Sequence, residues 1–278
     1  MTPAILLDPT SDIDLFQASE LGVDLLLQTV EFMGEKWLDA AEISGPEMFA
    51  ALRAGAPPPT TIRVTPDAYS STLERMLTRS NHVFALHPNR YAHSILDVAR
   101  QAAGRFPGRV TVYDAQTISA PMAILAERAA RAFAQGASPQ QVAGQLDLLR
   151  SISRVTMLLE TTEFLPPQSI LAPDLARLPP GAKPLLGLPG GDVRVLGHAP
   201  SSTVALSLMR QRVQQKAKDF PGGEVVFSHR DAPEQVAVLE RTARNLGIRV
   251  RFTTTLGLVV SSNVGPGAYA FGMFPRPE

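Results

Sequence analysis

Two short stretches concentrate the side chains with chemistry to offer. Asp8-Pro9-Thr10-Ser11-Asp12 ends a short apolar run, and Pro59-Thr60-Thr61-Ile62-Arg63-Val64-Thr65-Pro66 leads into an amphipathic one. In open α/β sheets, ligands settle beyond the carboxyl ends of strands, where helix N-termini offer N–H groups to anions. Thr10 and Ser11 suit that place, against the plainer reading that Ser11 or Asp12 caps the following helix. Thr65 with Pro66 makes an N-cap and N1 pair. Thr60, Thr61 and Arg63 have no evident structural task, and their side chains suit a carboxylate. Asp114 ends another apolar run and reads as a turn former.

Most enzyme signatures are missing. There is no G-x-S-x-G elbow, no H-E-x-x-H and no Gly-Lys dipeptide from which to build a P-loop. Gly265-Pro266-Gly267 opens no helix and is no dinucleotide fingerprint. The five histidines (His82, His87, His93, His198, His229) do not share one helix at i, i+4 spacing, so no metal and no cofactor is expected. An enzymatic alternative takes Asp8 or Asp12 as a carboxylate and His87 as a base, but no nucleophile, base and orienting group stand together.

These turns punctuate an alternating pattern. Residues 4–8 read as a buried strand, 13–20 as a helix ended by Gly22, and 23–30 as the next strand. Further on, 45–53 is helical, and Tyr69, Leu73, Met76 and Leu77 form one helical stripe. Strands at 82–86 and 109–113 alternate with helices at 92–103 and 121–135, and a helix capped by Ser138 follows. Strands separated by helices predict a mostly parallel sheet. The later half differs. A strand at 154–159 precedes an irregular proline-punctuated stretch at 166–180, and Pro189-Gly190-Gly191-Asp192 joins two short runs as a hairpin. Helices at 203–218 and 234–246 flank a strand at 224–228. Strands at 249–254, 257–262 and 269–274 have short connections that favour antiparallel pairing. The fold class is α/β in two lobes, residues 1–150 with a mostly parallel sheet and 151–278 with a mixed or antiparallel one. A ligand cleft is expected between them.

Composition narrows the function. Of 278 residues 45% are apolar and 19% charged, with 26 Lys plus Arg against 26 Asp plus Glu. A chain with zero formal net charge makes a poor general nucleic-acid or membrane-surface binder. The absence of Cys excludes disulfides, thiolate nucleophiles and Cys-built metal sites. No window approaches the 18 or so apolar residues of a spanning helix, and the first twelve residues lack a signal peptide's basic region, so a cytoplasmic protein is expected. Arg210, Arg212, Lys216 and Lys218 read as a solvated helix face, and Phe32, Met33, Trp37 and Phe49 as core.

The order of the turns resembles the DegV family. Residues 8–12 are similar to its D-S-T-x-D opening, Trp37-Leu38-Asp39 to an aromatic-x-Asp segment, and Pro59-Thr60-Thr61 with Thr65-Pro66 to P-x-T-S-Q-P-S-P. Tyr113-Asp114 stands where the family has a strand ending in Asp-Ser. Lys183-Pro184-Leu185-Leu186 with Gly190-Gly191-Asp192 is similar to K-P-i-l…d-G, and Gly265-Pro266-Gly267-Ala268 to the end of H-x-G-P-G-A. The similarity spans residues 4–274. It implies a non-enzymatic carrier that holds a long-chain fatty acid in a tunnel between two lobes and presents it to a fatty acid kinase.

The departures concern the head group. His87-Pro88-Asn89-Arg90-Tyr91 replaces L-S-G-T-Y, Pro166-Pro167-Gln168 replaces G-G-R, His198-Ala199-Pro200 replaces K-x-R, and Asn263 stands at the family's His. Thr61 alone stands clearly in place, with Arg63, Asn89 and Arg90 the nearest compensating donors. The ligand-binding set implied is Thr10, Ser11, Thr60, Thr61, Arg63, Asn89, Arg90, Asn263 and Gly265. The alternative to a carrier is a family member that has lost its lipid and serves as an interaction or regulatory protein.

Overall fold

The computed structural model describes residues 2–38, 45–88, 95–165, 171–189 and 192–276. The chain begins β1 (Ala4–Leu7), α1 (Leu15–Leu21), β2 (Asp24–Leu25), β3 (Thr29–Phe32), β4 (Glu35–Leu38), α2 (Gly45–Arg53), β5 (Thr60–Ile62) and α3 (Pro66–Leu77). It continues through β6 (Val83–His87), α4 (Ile95–Ala103), β7 (Val110–Asp114), α5 (Ala120–Ala134) and α6 (Pro139–Ile152). Then come β8 (Arg154–Leu158), α7 (Ala172–Leu175), β9 (Lys183–Gly187), β10 (Arg194–Ala199) and α8 (Ser202–Asp219). The last elements are β11 (Glu224–His229), α9 (Pro233–Asn245), β12 (Arg249–Thr255), α10 (Leu258–Val264) and β13 (Tyr269–Phe274). Two compact units result, Met1–Ile43 with Pro59–Ser151, and Ser44–Pro58 with Ile152–Glu278, so α2 belongs to the second unit.

In the first unit, β2-β1-β6-β7 form one wholly parallel sheet. Alternation along these strands feeds both faces. Leu6, Val83 and Ala85 pack under Tyr69, Leu73 and Met76 of α3 and Ile95 and Ala99 of α4. On β6, Phe84 meets Tyr113 and Phe133 at ring distances of 5.7 and 5.5 Å. Sheets built by β-α-β crossovers are covered on both faces in this way. A second, three-stranded antiparallel sheet runs β4-β3-β5.

Local chemistry explains several boundaries. Thr65 accepts from Ala68 N and starts α3, with Pro66 in its first turn. Ser138 and Gln141 cap α6 reciprocally. The cap of α1 is Asp14, in a capping box with Gln17, not Ser11 or Asp12. The stretch 23–30 is not one strand. β2 ends at Leu25, Gln28 is buried, and β3 joins the other sheet. Met33, expected in the core, is 65% exposed because Met33 and Gly34 form the β3–β4 turn, both with positive φ. Phe32 and Phe49 are core residues, while Trp37 is half-buried.

The second unit has a mixed sheet, β10-β9-β8-β13-β11-β12, in which β11 and β12 run parallel and every other pair is antiparallel. Its core joins Met209 and Val213 of α8, Val236 and Leu239 of α9, and Val225, Phe227 and Phe271 of the sheet. The expected strand at 257–262 is instead α10, closed by Gly257 and by Gly265 at φ 77°. A short apolar run buried on all sides has no periodicity to separate strand from helix. The helix takes β12 away from β13, so β12 pairs only with β11 and the expected antiparallel trio does not form. Gly190 and Gly191 lie outside the described residues, but the strands they join do pair antiparallel. On α8, Arg210 and Lys218 are exposed, and Lys216 pairs with Asp219. Among the described residues, no helix is long and apolar enough to cross a membrane.

Candidate functional site

Parallel strands end on one edge, and in the first unit that edge collects polar side chains that water does not reach. Asp8 follows β1, and His87 ends β6 beside it, since Leu7 is paired with Leu86. Asp8 Oδ1 accepts from Thr10 N at 2.9 Å and from the Thr10 hydroxyl at 2.6 Å. Asp8 Oδ2 accepts from Gln28 Nε2 at 3.3 Å and lies 3.5 Å from His87 Nδ1, too far for a well-formed hydrogen bond. On the other side of the imidazole, the Tyr69 hydroxyl of α3 is 2.5 Å from Nε2. Asp8, His87 and Tyr69 are all fully buried.

The electrostatics follow from this enclosure. Burial by itself raises the Asp8 carboxyl, but His87 and the two Thr10 hydrogen bonds outweigh it and hold the carboxyl below its ordinary 3.8. Burial, and then the charge on Asp8, push the Tyr69 phenol above its usual range, so it stays protonated. The Asp8 carboxylate therefore has polar partners on both oxygens, while His87 Nδ1 and Gln28 Oε1 beside it make no hydrogen bond. It can hold the turn at residues 9–11 in a fixed shape.

Thr10 and Ser11 sit in that turn, both buried. The Thr10 hydroxyl is committed to Asp8, whereas Ser11 Oγ has no hydrogen-bond partner. Thr60 and Thr61 do have a structural task, pairing with Glu31 and Val30 as β5, and Arg63 just beyond is exposed. Asn89 and Arg90 lie outside the described residues. Asn263 and Gly265 belong to the second unit, where Asn263 Nδ2 caps α10 by donating to Val259 O. Gly265, at positive φ, leaves no room for a Cβ, which would lie 2.5 Å from the Phe164 ring. Asp114 is a turn former, accepting from Gln116 N at 3.0 Å.

Gln28 and Tyr69 were not legible as site residues. The signal for Gln28 was a lone amide interrupting the apolar stretch after Gly22. For Tyr69 it was a phenol on a core-facing stripe, which needs a buried partner.

The second unit carries an open cleft of about 810 Å³ lined by Arg53, Glu160, Phe164, Lys183 and Asp231 among others. Glu160 there accepts from Lys183 Nζ and from the Ser202 hydroxyl, each at 2.7 Å. A charged lining of this kind suits a polar ligand and not an acyl chain. Among the described residues, no group of three His, Asp or Glu side chains could hold a metal ion.

A parallel-sheet unit with a polar carboxyl edge, followed by a mixed-sheet unit, defines an α/β protein of two units. The family described as uncharacterised protein, DegV family, matches residues 2–168, and the chain belongs to the DegV family. A DegV domain-containing protein of Deinococcus radiodurans is 27% identical over 278 residues, 99% of each chain. A fatty-acid-binding DegV family protein from Thermus thermophilus is 28% identical, with a TM-score of 0.92 over 99% of this chain and 100% of that one. DegV, a fatty acid binding protein from Bacillus subtilis, shares the fold at 16% identity, with a TM-score of 0.87 over 99% of this chain and 100% of its own.

Proposed function

We propose that this chain is a lipid carrier that takes a long-chain fatty acid into an apolar tunnel and presents its head group to a partner such as a fatty acid kinase, with no turnover of its own. The observation that carries the reading is the end-to-end similarity to the Thermus thermophilus protein described as binding fatty acid. The physical case is favourable. Burying a 16-carbon chain contributes on the order of 10 kcal/mol at about 0.8 kcal/mol per CH₂, before ordering costs. Affinity therefore survives the substituted head-group positions. Thr61 and Arg63 remain candidates for head-group contact in this reading, together with Thr10, Ser11, Thr60, Asn89, Arg90, Asn263 and Gly265. The carrier assignment is favoured over an enzyme because Asp8 and His87, the acid and base of the enzymatic alternative, are buried and spend their contacts on Thr10, Gln28 and Tyr69.

Native mass spectrometry of protein purified from a bacterial host tests the reading. A mass increment of one long-chain fatty acid, and a rise in Tm on adding palmitate or oleate to stripped protein, are expected. Bare polypeptide together with no thermal shift would overturn it. The kinase role is tested separately, by whether a fatty acid kinase phosphorylates the carboxyl of oleate only when this protein is present.

A further inference from the structure

The chain leaves the first unit after Ile43 and rejoins it at Pro59, and the stretch between, Ser44–Pro58, packs with the second unit. α2 lies in that stretch, and among its described side chains Met48 and Phe49 are the buried ones. A helix of nine residues is marginal alone in water, so these two side chains hold it in place. Phe49 sits in a built socket. The Phe164 ring stands edge-on with its centroid 5.6 Å away, and the Arg230 guanidinium lies 5.6 Å from the Phe49 centroid. Both walls are fixed from behind. Phe164 packs against Gly265, where a Cβ would lie 2.5 Å from its ring. Arg230 donates to Leu256 O, and its backbone bonds Ala268 and Gly267. Ring contacts of this kind add to the stabilisation that Phe49 gains from burial.

The elements on either side of α2 in the chain are weakly held. Residues 39–44 lead to it from β4, and 54–59 lead from it to β5. Both strands are edges of the three-stranded sheet, each paired with β3. β4 has four residues and β5 three, and none of their side chains is buried. The buried side chains of that sheet are Val30 and Phe32 of β3. So small a sheet gains little from its own apolar face. The connection to β5 is stiff. Gly55, at φ 94°, closes α2 with its N–H on Leu52 O, and Pro57-Pro58-Pro59 follow, a run that proline keeps semi-rigid.

From these observations we infer that α2 is a strap: seated in the second unit by Phe49, it restrains β4 and β5 and ties the stability of the β4-β3-β5 sheet to that of the second unit. Phe49 is a positioning residue in this device, acting on the sheet through α2 and the three prolines. Fixing the middle of the 39–59 segment limits the freedom of β4 and β5 to leave β3, because a shorter free loop has less entropy to gain by opening. Thr60 and Thr61 stand on β5, so the strap also holds the strand that carries them. The coupling does not depend on the lipid-carrier reading.

The test is amide hydrogen exchange on the full chain, comparing wild type, Phe49→Ala, Phe49→Leu and a triple variant, Pro57→Gly with Pro58→Gly and Pro59→Gly. In Phe49→Ala the amides of β3, β4 and β5 should exchange about tenfold faster or more, and those of β1, β6 and β7 in the same unit should change less. Phe49→Leu should restore most of the protection, because it refills the socket with apolar volume. The triple variant alters no buried side chain and leaves the socket intact. It should speed exchange in β5 by about threefold or more and leave α8 and α9 of the second unit nearly unchanged. Faster exchange confined to the second unit in Phe49→Ala would make Phe49 a core residue of that unit alone and overturn the inference. Wild-type exchange of β5 in the triple variant would overturn it equally. Should Phe49→Ala not fold, the triple variant carries the test by itself.

Discussion

The two units handle buried charge in opposite ways. In the first, Asp8, His87, Tyr69 and Gln28 converge from four segments into one sealed cluster. In the second, the pairs are separate: Lys183 with Glu160, both partly exposed, and Arg251, which keeps some solvent contact, with the buried Glu224. Strand direction accounts for the contrast. When all strands of a sheet run the same way, every carboxyl end reaches one edge, and the residues after β1 and at the end of β6 become neighbours. In the mixed sheet, the end of β8 faces the start of β9, so Glu160 meets Lys183, with the Ser202 hydroxyl on the same carboxylate. A parallel sheet concentrates polar groups, and an antiparallel one distributes them in pairs.

The sharpest way to break this contrast is Asp8→Ala. Removing one partner of a buried polar cluster strands the others, and a loss of about 3–5 kcal/mol by urea unfolding at neutral pH is expected. The same variant should lose an acid-sensitive component. Because the folded Asp8 carboxyl is held below 3.8, its contribution is complete above that value and disappears as the pH falls below it. Wild type should therefore lose more stability than the variant between neutral pH and pH values under about 3.8. A variant with the same acid profile as wild type would remove Asp8 from the account.

A middle-sized effect belongs to the second unit. Gly267→Ala places a Cβ 2.7 Å from that of Glu160 on a backbone with φ 79°, which should cost about 1–3 kcal/mol and disturb the Glu160–Lys183 pair. The smallest is Lys183→Met, which should cost about 1 kcal/mol or less, because both partners keep solvent contact and water screens their attraction. If Lys183→Met destabilised the protein as much as Asp8→Ala, the distinction between a sealed cluster and a screened pair would fail.

Much of the fold was legible where chemistry is local. Thr65-Pro66 starts α3 and Ser138 caps α6, because a cap needs only the few residues around it. The failures share a cause. The stretch 23–30 changes sheets, and 257–262 coils into α10, since apolar runs as short as Leu25–Leu27 and Leu258–Val260 carry no period and their partners decide the shape. Of the site, Thr10 and Ser11 announced themselves as turn hydroxyls. Tyr69 looked like one more core residue on its helix.

The amino-acid order alone determined the alternation of strands and helices, the sites of most caps, the two-part plan and the family's sequence of turns, because each depends on neighbours within about a helical turn or on a pattern along the chain. Tertiary structure decided which polar groups share a burial. Asp8 and His87 touch only because β1 lies beside β6 in the strand order β2-β1-β6-β7. Burial then gives that adjacency its weight, since a polar group unpaired in water is commonplace and one unpaired inside a protein is rare.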